Sequence, residues 1–255
     1  MYYPDNVVVR LVWLCLLSAI IAFHLSGCSG CSKSGLKDKA DKRSYSPRVR
    51  DGQNAISKNR SEVIANSEQS LNQLFNKYQS AVFMILTTED GHNYSQGTGF
   101  FVSSSGLAVS NYHVFQGTIK GMESIKLQNR YDLKVEKVLE YNSEHDYIIF
   151  KVKPISGVSF NSIRVTNKQP DIGEDVFAIT NPRGLENTLS RGIVSGYRSG
   201  YNLIQTTAEI THGSSGGPLL NMRGEVVGIT TMGLGEANIN FAINILSLEL
   251  DKYID

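Results

Sequence analysis

The chain has 255 residues, 41% of them hydrophobic and 19% charged, with a formal net charge of +1. That length holds one large domain or two small barrels sharing an interface. Its cysteines, Cys15, Cys28 and Cys31, all precede residue 32, which excludes internal disulfides and a thiol nucleophile from everything after them. Metal-ligand spacings such as HExxH or paired CxxC are absent, so neither a metal nor any other cofactor is expected. Charge is uneven. Residues 33–60 carry nine Lys/Arg against three Asp/Glu, a balance of +6, and residues 61–255 carry fifteen against twenty, a balance of −5. A basic stretch without apolar periodicity reads as a solvated tether, so no nucleic-acid partner is expected.

In chain order, the first element is LVWLCLLSAIIAF, residues 11–23, an apolar run behind Arg10. It is short for a spanning helix and suits the apolar region of a secretory signal, with an uncleaved membrane anchor as the alternative. It runs into LSGC, residues 25–28, which resembles the bacterial lipobox. The resemblance implies that residues 1–27 are removed and that Cys28 is lipidated, tying the protein to a membrane. Ser29 follows where Asp would signal retention, which implies the periplasmic face of the outer membrane. Residues 28–66 then form a basic flexible tether with a span of roughly 30–40 Å.

Residues 67–79, SEQSLNQLFNKYQ, place Leu71, Leu74, Phe75 and Tyr78 on one helical face, with Ser67 as the cap and Ser70 as the alternative. Short strand-like runs follow: AVFMILTT, TGFFVSS, SIKLQ, LKVEKVLEY and DYIIFKV, then DVFAIT, TLSRGIVSGY, NLIQTT, GEVVGITT and INFAI. Gly, Asn, Ser and Asp clusters separate them, which argues for all-β barrels or sandwiches. Pro154 and SGVSF mark a crossover between the two sets, and NILSLELDKYI is read as a closing helix.

The chemistry centres on ITHGSSGGPLL, residues 210–220. A serine hydroxyl needs a histidine to take its proton, a carboxylate to orient that histidine, and backbone N–H groups to receive the oxyanion. GSSGG supplies a turn tight enough to present such donors. There are five histidines: His24 in the signal, His92 in a turn, His113, His145 and His212. His113 follows an apolar strand in GTGFFVSSSGLAVSNYHVF, residues 97–115.

Three segments together resemble the HtrA/Deg branch of the trypsin-like serine proteases: GTGFFVSSSGLAVSNYHVF, EHDYIIFKV (144–152) and ITHGSSGGPLLNMRGEVVGITT (210–231), with INFAI (239–243) after them. The resemblance covers about residues 67–255. It implies a mostly β, chymotrypsin-like fold of two six-stranded antiparallel barrels, about 80–155 and 165–243, with a helix at each end. Carried over by position, it implies Ser215 as nucleophile, His113 as general base and Asp146 as the acid that orients it. The N–H groups of Gly213 and Ser215 are the implied oxyanion hole. Protein or peptide substrates follow from it, while monomer and family-like trimer both stay open.

Each residue also has a plainer reading. GSSGG alone is a glycine-rich turn, an Asp opening a strand is a cap, and His145 and His212 are surface residues. The chain departs from the pattern at Ser214, where related enzymes carry Asp or Asn; an uncharged side chain there cannot pair with a freed amine. The PDZ module usual in the family is not expected within the sequence. Glu209, six residues before Ser215, holds the place of the acid that lies under the P1 side chain in trypsins. It is expected either to favour a basic P1 residue or to face solvent or a cation such as Arg191. Two functions stand side by side: a lipid-anchored envelope endopeptidase, and a protease-fold protein that binds peptides or partners without cutting them.

Overall fold

A computed structural model describes residues 70–128, 132–154, 159–182, 187–200, 202–233 and 238–254. The signal segment, Cys28 and the basic tether lie outside the described residues. The chain enters at helix α1 (Leu71–Tyr78). Of the two candidate caps, Ser70 holds the place. Its hydroxyl accepts the Gln73 N–H at 3.3 Å, and Gln73 Oε1 accepts the Ser70 N–H at 3.0 Å. This reciprocal box satisfies two donors that a helix start leaves open. Leu74 and Tyr78 are buried, with Leu71 and Phe75 packed beside them, as the helical spacing required.

Thirteen strands follow among the described residues. The first seven are β1 (Val82–Thr87), β2 (Ser95–Phe101), β3 (Leu107–Ser110), β4 (Ser124–Lys126), β5 (Asp132–Leu133), β6 (Val135–Asn142) and β7 (Tyr147–Val152). They form one antiparallel sheet in the order β5-β4-β1-β2-β3-β7-β6. The other six are β8 (Asp175–Thr180), β9 (Thr188–Arg198), β10 (Leu203–Thr206), β11 (Pro218–Asn221), β12 (Val226–Gly233) and β13 (Asn240–Asn244). These close into a six-stranded barrel in the order β10-β13-β12-β11-β8-β9. The fold is thus mostly β and chymotrypsin-like, with one closed barrel and one curled sheet.

The seventh strand of the first sheet comes from a bend. The run LKVEKVLEY reads as one strand, but it breaks at Lys134. Before the break, Asp132 and Leu133 pair with β4; after it, Val135 onward pairs with β7. The two ends of the sheet are therefore consecutive in sequence, and the sheet curls because one strand serves both edges.

Alternation along the strands explains their unbroken apolar runs. Phe83, Phe101, Ile148 and Phe150 point into the first sheet's aromatic interior, while Val82, Phe100 and Ile149 point into a second cluster. From the barrel, Val176, Ala178 and Leu219 line its own interior, and Phe177, Ile179 and Leu220 join that same second cluster. Strands buried on both faces have no polar side to show, and both halves share the core between them.

One expectation changes at the C-terminus. NILSLELDKYI forms two single 3₁₀ turns, Ile245–Ser247 and Leu250–Lys252, and not an α-helix. Ile245, Leu248 and Leu250 are all buried. Positions five apart cannot share a helical face, so the chain extends at Leu248 (φ −97°, ψ 131°) and swings Leu250 back to the core.

Candidate active site

Asp146 sits in the turn between β6 and β7 with φ +55°. Short polar residues tolerate this left-handed conformation best. It aims both the backbone and the side chain at the segment after β3. The Asp146 carbonyl accepts from Asn111 Nδ2 at 2.9 Å and from the Tyr112 N–H at 3.2 Å. Its Oδ1 accepts the His113 N–H at 2.9 Å. His113 Nδ1 lies 2.8 Å from Oδ2 and 3.0 Å from Oδ1. Thr231 Oγ1 donates to Oδ2 at 3.0 Å. An ionised carboxylate only accepts, so Nδ1 carries the proton and Nε2 is left as an acceptor.

The His113 side chain keeps 34% of its exposure and Asp146 18%. Burial is the largest single influence on the imidazole and pushes its pKa down. The charge of Asp146 and its hydrogen bond act against burial and together outweigh it, so the net shift is upward from 6.5.

The second half of the site is the loop between β10 and β11. Gly213 (φ +90°) and Gly216 (φ +91°) make its turns. At Gly216 a Cβ would also lie 2.1 Å from the Thr98 carbonyl oxygen and 2.2 Å from Ser110 Oγ, so no side chain fits. The loop is braced from within: the Ser214 N–H donates to Thr211 O at 2.9 Å, the Gly217 N–H to Ser214 O at 3.1 Å, and Thr230 Oγ1 to Ser214 O at 2.6 Å. Among the described residues, the N–H groups of Gly213 and Ser215 have no protein acceptor. A trans peptide is planar, so the Ser215 N–H points opposite the anchored Ser214 carbonyl, away from buried Thr230.

The two serines separate clearly. Ser214 is 2% exposed, and its hydroxyl lies 3.1 Å from Thr180 Oγ1 and accepts from the Thr211 N–H at 3.4 Å. Ser215 is half-buried and donates its hydroxyl to the Thr231 carbonyl at 2.9 Å. Thr231 therefore touches both halves, with its hydroxyl on Asp146 and its carbonyl under Ser215. The bond to that carbonyl directs the Ser215 proton to Thr231 and not to His113. The other described histidines take no part: His92 lies in the β1–β2 turn on Asp90, His145 lies against Asn142, and His212 is exposed.

With this geometry, comparison decides the family. Residues 97–229, just over half the chain, match the family model described as the trypsin-like peptidase domain. The chain belongs to that family. This trypsin-like domain is similar to "Serine protease HTRA4" of Mus musculus, 35% identical over 161 residues that make up 58% of this chain and 32% of that protein. It is equally similar to "Putative serine protease HhoA" of Synechocystis, 35% identical over 161 residues, 59% of this chain and 40% of that one. The chain thus spans about a third to two fifths of these curated relatives. Among solved structures it resembles the serine endoprotease from Yersinia pestis, with a TM-score of 0.62 and 29% identity over 70% of this chain and 64% of that one.

Glu209 lines a cavity of about 300 Å³ whose other walls are Thr180, Pro182, Thr188, Leu189, Ser190, Thr211 and Ser214. These come from the ends of β8 and β9 and the loop itself; no β12 residue is among them. Arg191, the alternative partner, bonds Asp175 at 3.2 Å. At the start of β13, Asn240 Oδ1 accepts the Ile210 N–H at 3.4 Å. Thr231 escaped sequence reasoning altogether. It lies 85 residues from Asp146, and a threonine within a strand carries no local signal of such a contact.

Proposed function

We propose that this trypsin-like domain is a serine endopeptidase acting through an acyl-enzyme on Ser215. One observation supports the reading most: Asp146 holds His113 at both its N–H and Nδ1, and Thr231 bridges that pair to Ser215. Base, orienting acid and nucleophile thus share one hydrogen-bonded neighbourhood. In the reaction, Ser215 Oγ forms a bond to the scissile carbonyl carbon while His113 Nε2 takes its proton. The carbonyl electron pair moves to oxygen, which faces the free N–H groups of Gly213 and Ser215. Collapse breaks the C–N bond, and His113 gives the proton to the departing amine. Water then attacks the acyl carbon, His113 takes its proton, and collapse returns that proton to Ser215 and frees the acid. Asp146 stays ionised and stabilises the imidazolium. Protein or peptide substrates fit this chemistry, as they fit the names of the relatives, and it draws on no cofactor.

The bond from Ser215 to Thr231 favours the second reading, a peptide-binding protein on a protease fold. The experiment is hydrolysis of an unfolded protein by the purified chain and by Ser215→Ala. Cleavage that survives the substitution, or is missing from the wild type, defeats the endopeptidase reading.

We further propose that the domain is tethered in a bacterial envelope by a lipid on Cys28, at the periplasmic face of the outer membrane. The support is sequence alone: the apolar run at 11–23, LSGC and Ser29. Cys28→Ser should abolish incorporation of labelled lipid and leave the precursor unprocessed. A mature N-terminus well past residue 28, without acyl groups, contradicts it.

A further inference from the structure

Thr98 stands in β2, wholly buried, and its polar atoms reach far in sequence. Its N–H donates to the Ser215 carbonyl at 2.8 Å. Its hydroxyl donates to the Gly213 carbonyl at 2.7 Å and accepts the Asn181 N–H at 3.1 Å. Its own carbonyl accepts from Ser110 Oγ at 2.7 Å. Its two strand neighbours are glycines that let Val114 and Phe83 pack close on the opposite face: a Cβ on Gly97 would lie 2.5 Å from Val114, and one on Gly99 2.5 Å from the Phe83 ring.

The hydroxyl has a directed role. The Asn181 N–H occupies a lone pair of Oγ1, which leaves the hydroxyl proton to point at Gly213. The peptide joining Gly213 to Ser214 is then held at both ends, its carbonyl by Thr98 and its N–H by Thr211. The next peptide is held by its carbonyl at Gly217 and Thr230. Planarity passes the second constraint to the Ser215 N–H, while the Gly213 N–H is joined to the held Gly213 carbonyl through the φ and ψ of Gly213 alone. Remove Oγ1, and Gly213, free of any Cβ and turned to φ +90°, loses the bond that fixes its carbonyl.

We propose that Thr98 is a positioning residue: its hydroxyl fixes the Gly213 carbonyl, and with it the left-handed turn at Gly213, so that the N–H groups on either side, those of Gly213 and Ser215, converge on the oxyanion. This rests on the endopeptidase reading above. It also makes the main chain at Asn181, just past β8, part of the same hydrogen-bonded relay.

The experiment uses the purified full chain with a chromogenic peptide substrate and a matching peptide boronate, whose tetrahedral adduct places an oxygen where the oxyanion sits. Thr98→Val keeps shape and removes the hydroxyl; Thr98→Ser keeps the hydroxyl. Losing one oxyanion donor outright costs roughly 100- to 1,000-fold in kcat, so misaligning one is expected to cost about 10- to 100-fold. Thr98→Val should lower kcat by that factor with KM within about threefold, and weaken boronate binding in parallel; Thr98→Ser should stay within about threefold throughout. If Thr98→Val fails to fold, Thr98→Ala takes its place under the same criteria. A folded hydroxyl-free variant with unchanged kcat, or one that loses kcat while boronate affinity holds, overturns the proposal. So does failure of Thr98→Ser to restore both. If the wild type does not turn over, or Ser215→Ala leaves turnover unchanged, the endopeptidase reading fails and the role of Thr98 falls with it. Normal wild-type turnover beside indifferent Thr98 variants overturns the Thr98 role alone.

Discussion

The base half and the nucleophile half of the site are built to different degrees. On the first sheet, Asp146 has both carboxylate oxygens and its carbonyl engaged, and His113 is gripped at its backbone and its ring. On the barrel, Ser215 gives its proton to Thr231, and two loop N–H groups wait without acceptors. The difference follows from chemistry. A base works only in one tautomer and orientation, so its partners can be permanent. Oxyanion donors must stay empty until charge develops, so order in that loop has to come from the carbonyls beside them.

The largest effect should come from the sparser half. Ser215→Ala should lower kcat by roughly 10⁴- to 10⁶-fold with the melting temperature unchanged, because it removes the nucleophile alone. Ser214→Ala should stay within about tenfold of wild type, since the Ser214 hydroxyl meets only Thr180 at the end of β8 and the Thr211 N–H. Reversed outcomes would exchange the two serines and undo the comparison.

Asp146→Asn tests the ordered half. It should cost about 10⁴-fold in kcat, the scale at which a triad acid fixes the tautomer. Its pH profile is more telling. His113 must be neutral to act, so wild-type kcat/KM should rise with pH through a pKa above 6.5. With the charge and hydrogen bond of Asp146 gone, burial alone remains and lowers the histidine, so the acid limb should move to lower pH. A limb that stays in place shows that His113 is not the titrating base.

Thr231 joins the halves. Thr231→Val keeps the carbonyl under Ser215 and removes the hydroxyl from Asp146, so kcat should fall about tenfold, as for loss of one hydrogen bond to a charged group. An unchanged kcat would mean that Asp146 is oriented by His113 and the loop after β3 alone. The smallest effect is expected at Glu209. Its cavity is walled by the ends of β8 and β9 and by the loop, and neither Ser215 nor His113 lines it. In a P1 series of Lys, Val and Leu peptides, Glu209→Ala should change no kcat/KM by more than about threefold. A tenfold loss confined to Lys would put Glu209 beneath the substrate side chain and restore the basic P1 preference.

What could be read in the sequence tracks how local each feature is. The apolar face of helix α1 was legible because Leu71, Leu74, Phe75 and Tyr78 lie within eight residues; its start at Ser70 was not, because Ser67 offers the same capping hydroxyl one turn earlier. Strand β11 was missed because Pro218 opens it and only four residues follow the glycines. The C-terminal helix was misread because the spacing of Ile245, Leu248 and Leu250 answers to a core built from distant strands. His113, Asp146 and Ser215 could be singled out because each lies in a motif that is dense in its own segment. Thr98, Asn111 and Thr231 lie inside those same segments, but their roles come from bonds spanning 35 to 115 residues, which no local spacing specifies.

The most direct measurement is to label the purified chain with a fluorophosphonate and map the modified residue by mass spectrometry, with His113→Ala in parallel. A reactive serine beside its base predicts one adduct, on Ser215, lost in Ser215→Ala and slowed by several orders of magnitude in His113→Ala. An adduct on Ser214, or wild-type labelling no faster than in His113→Ala, would contradict the account.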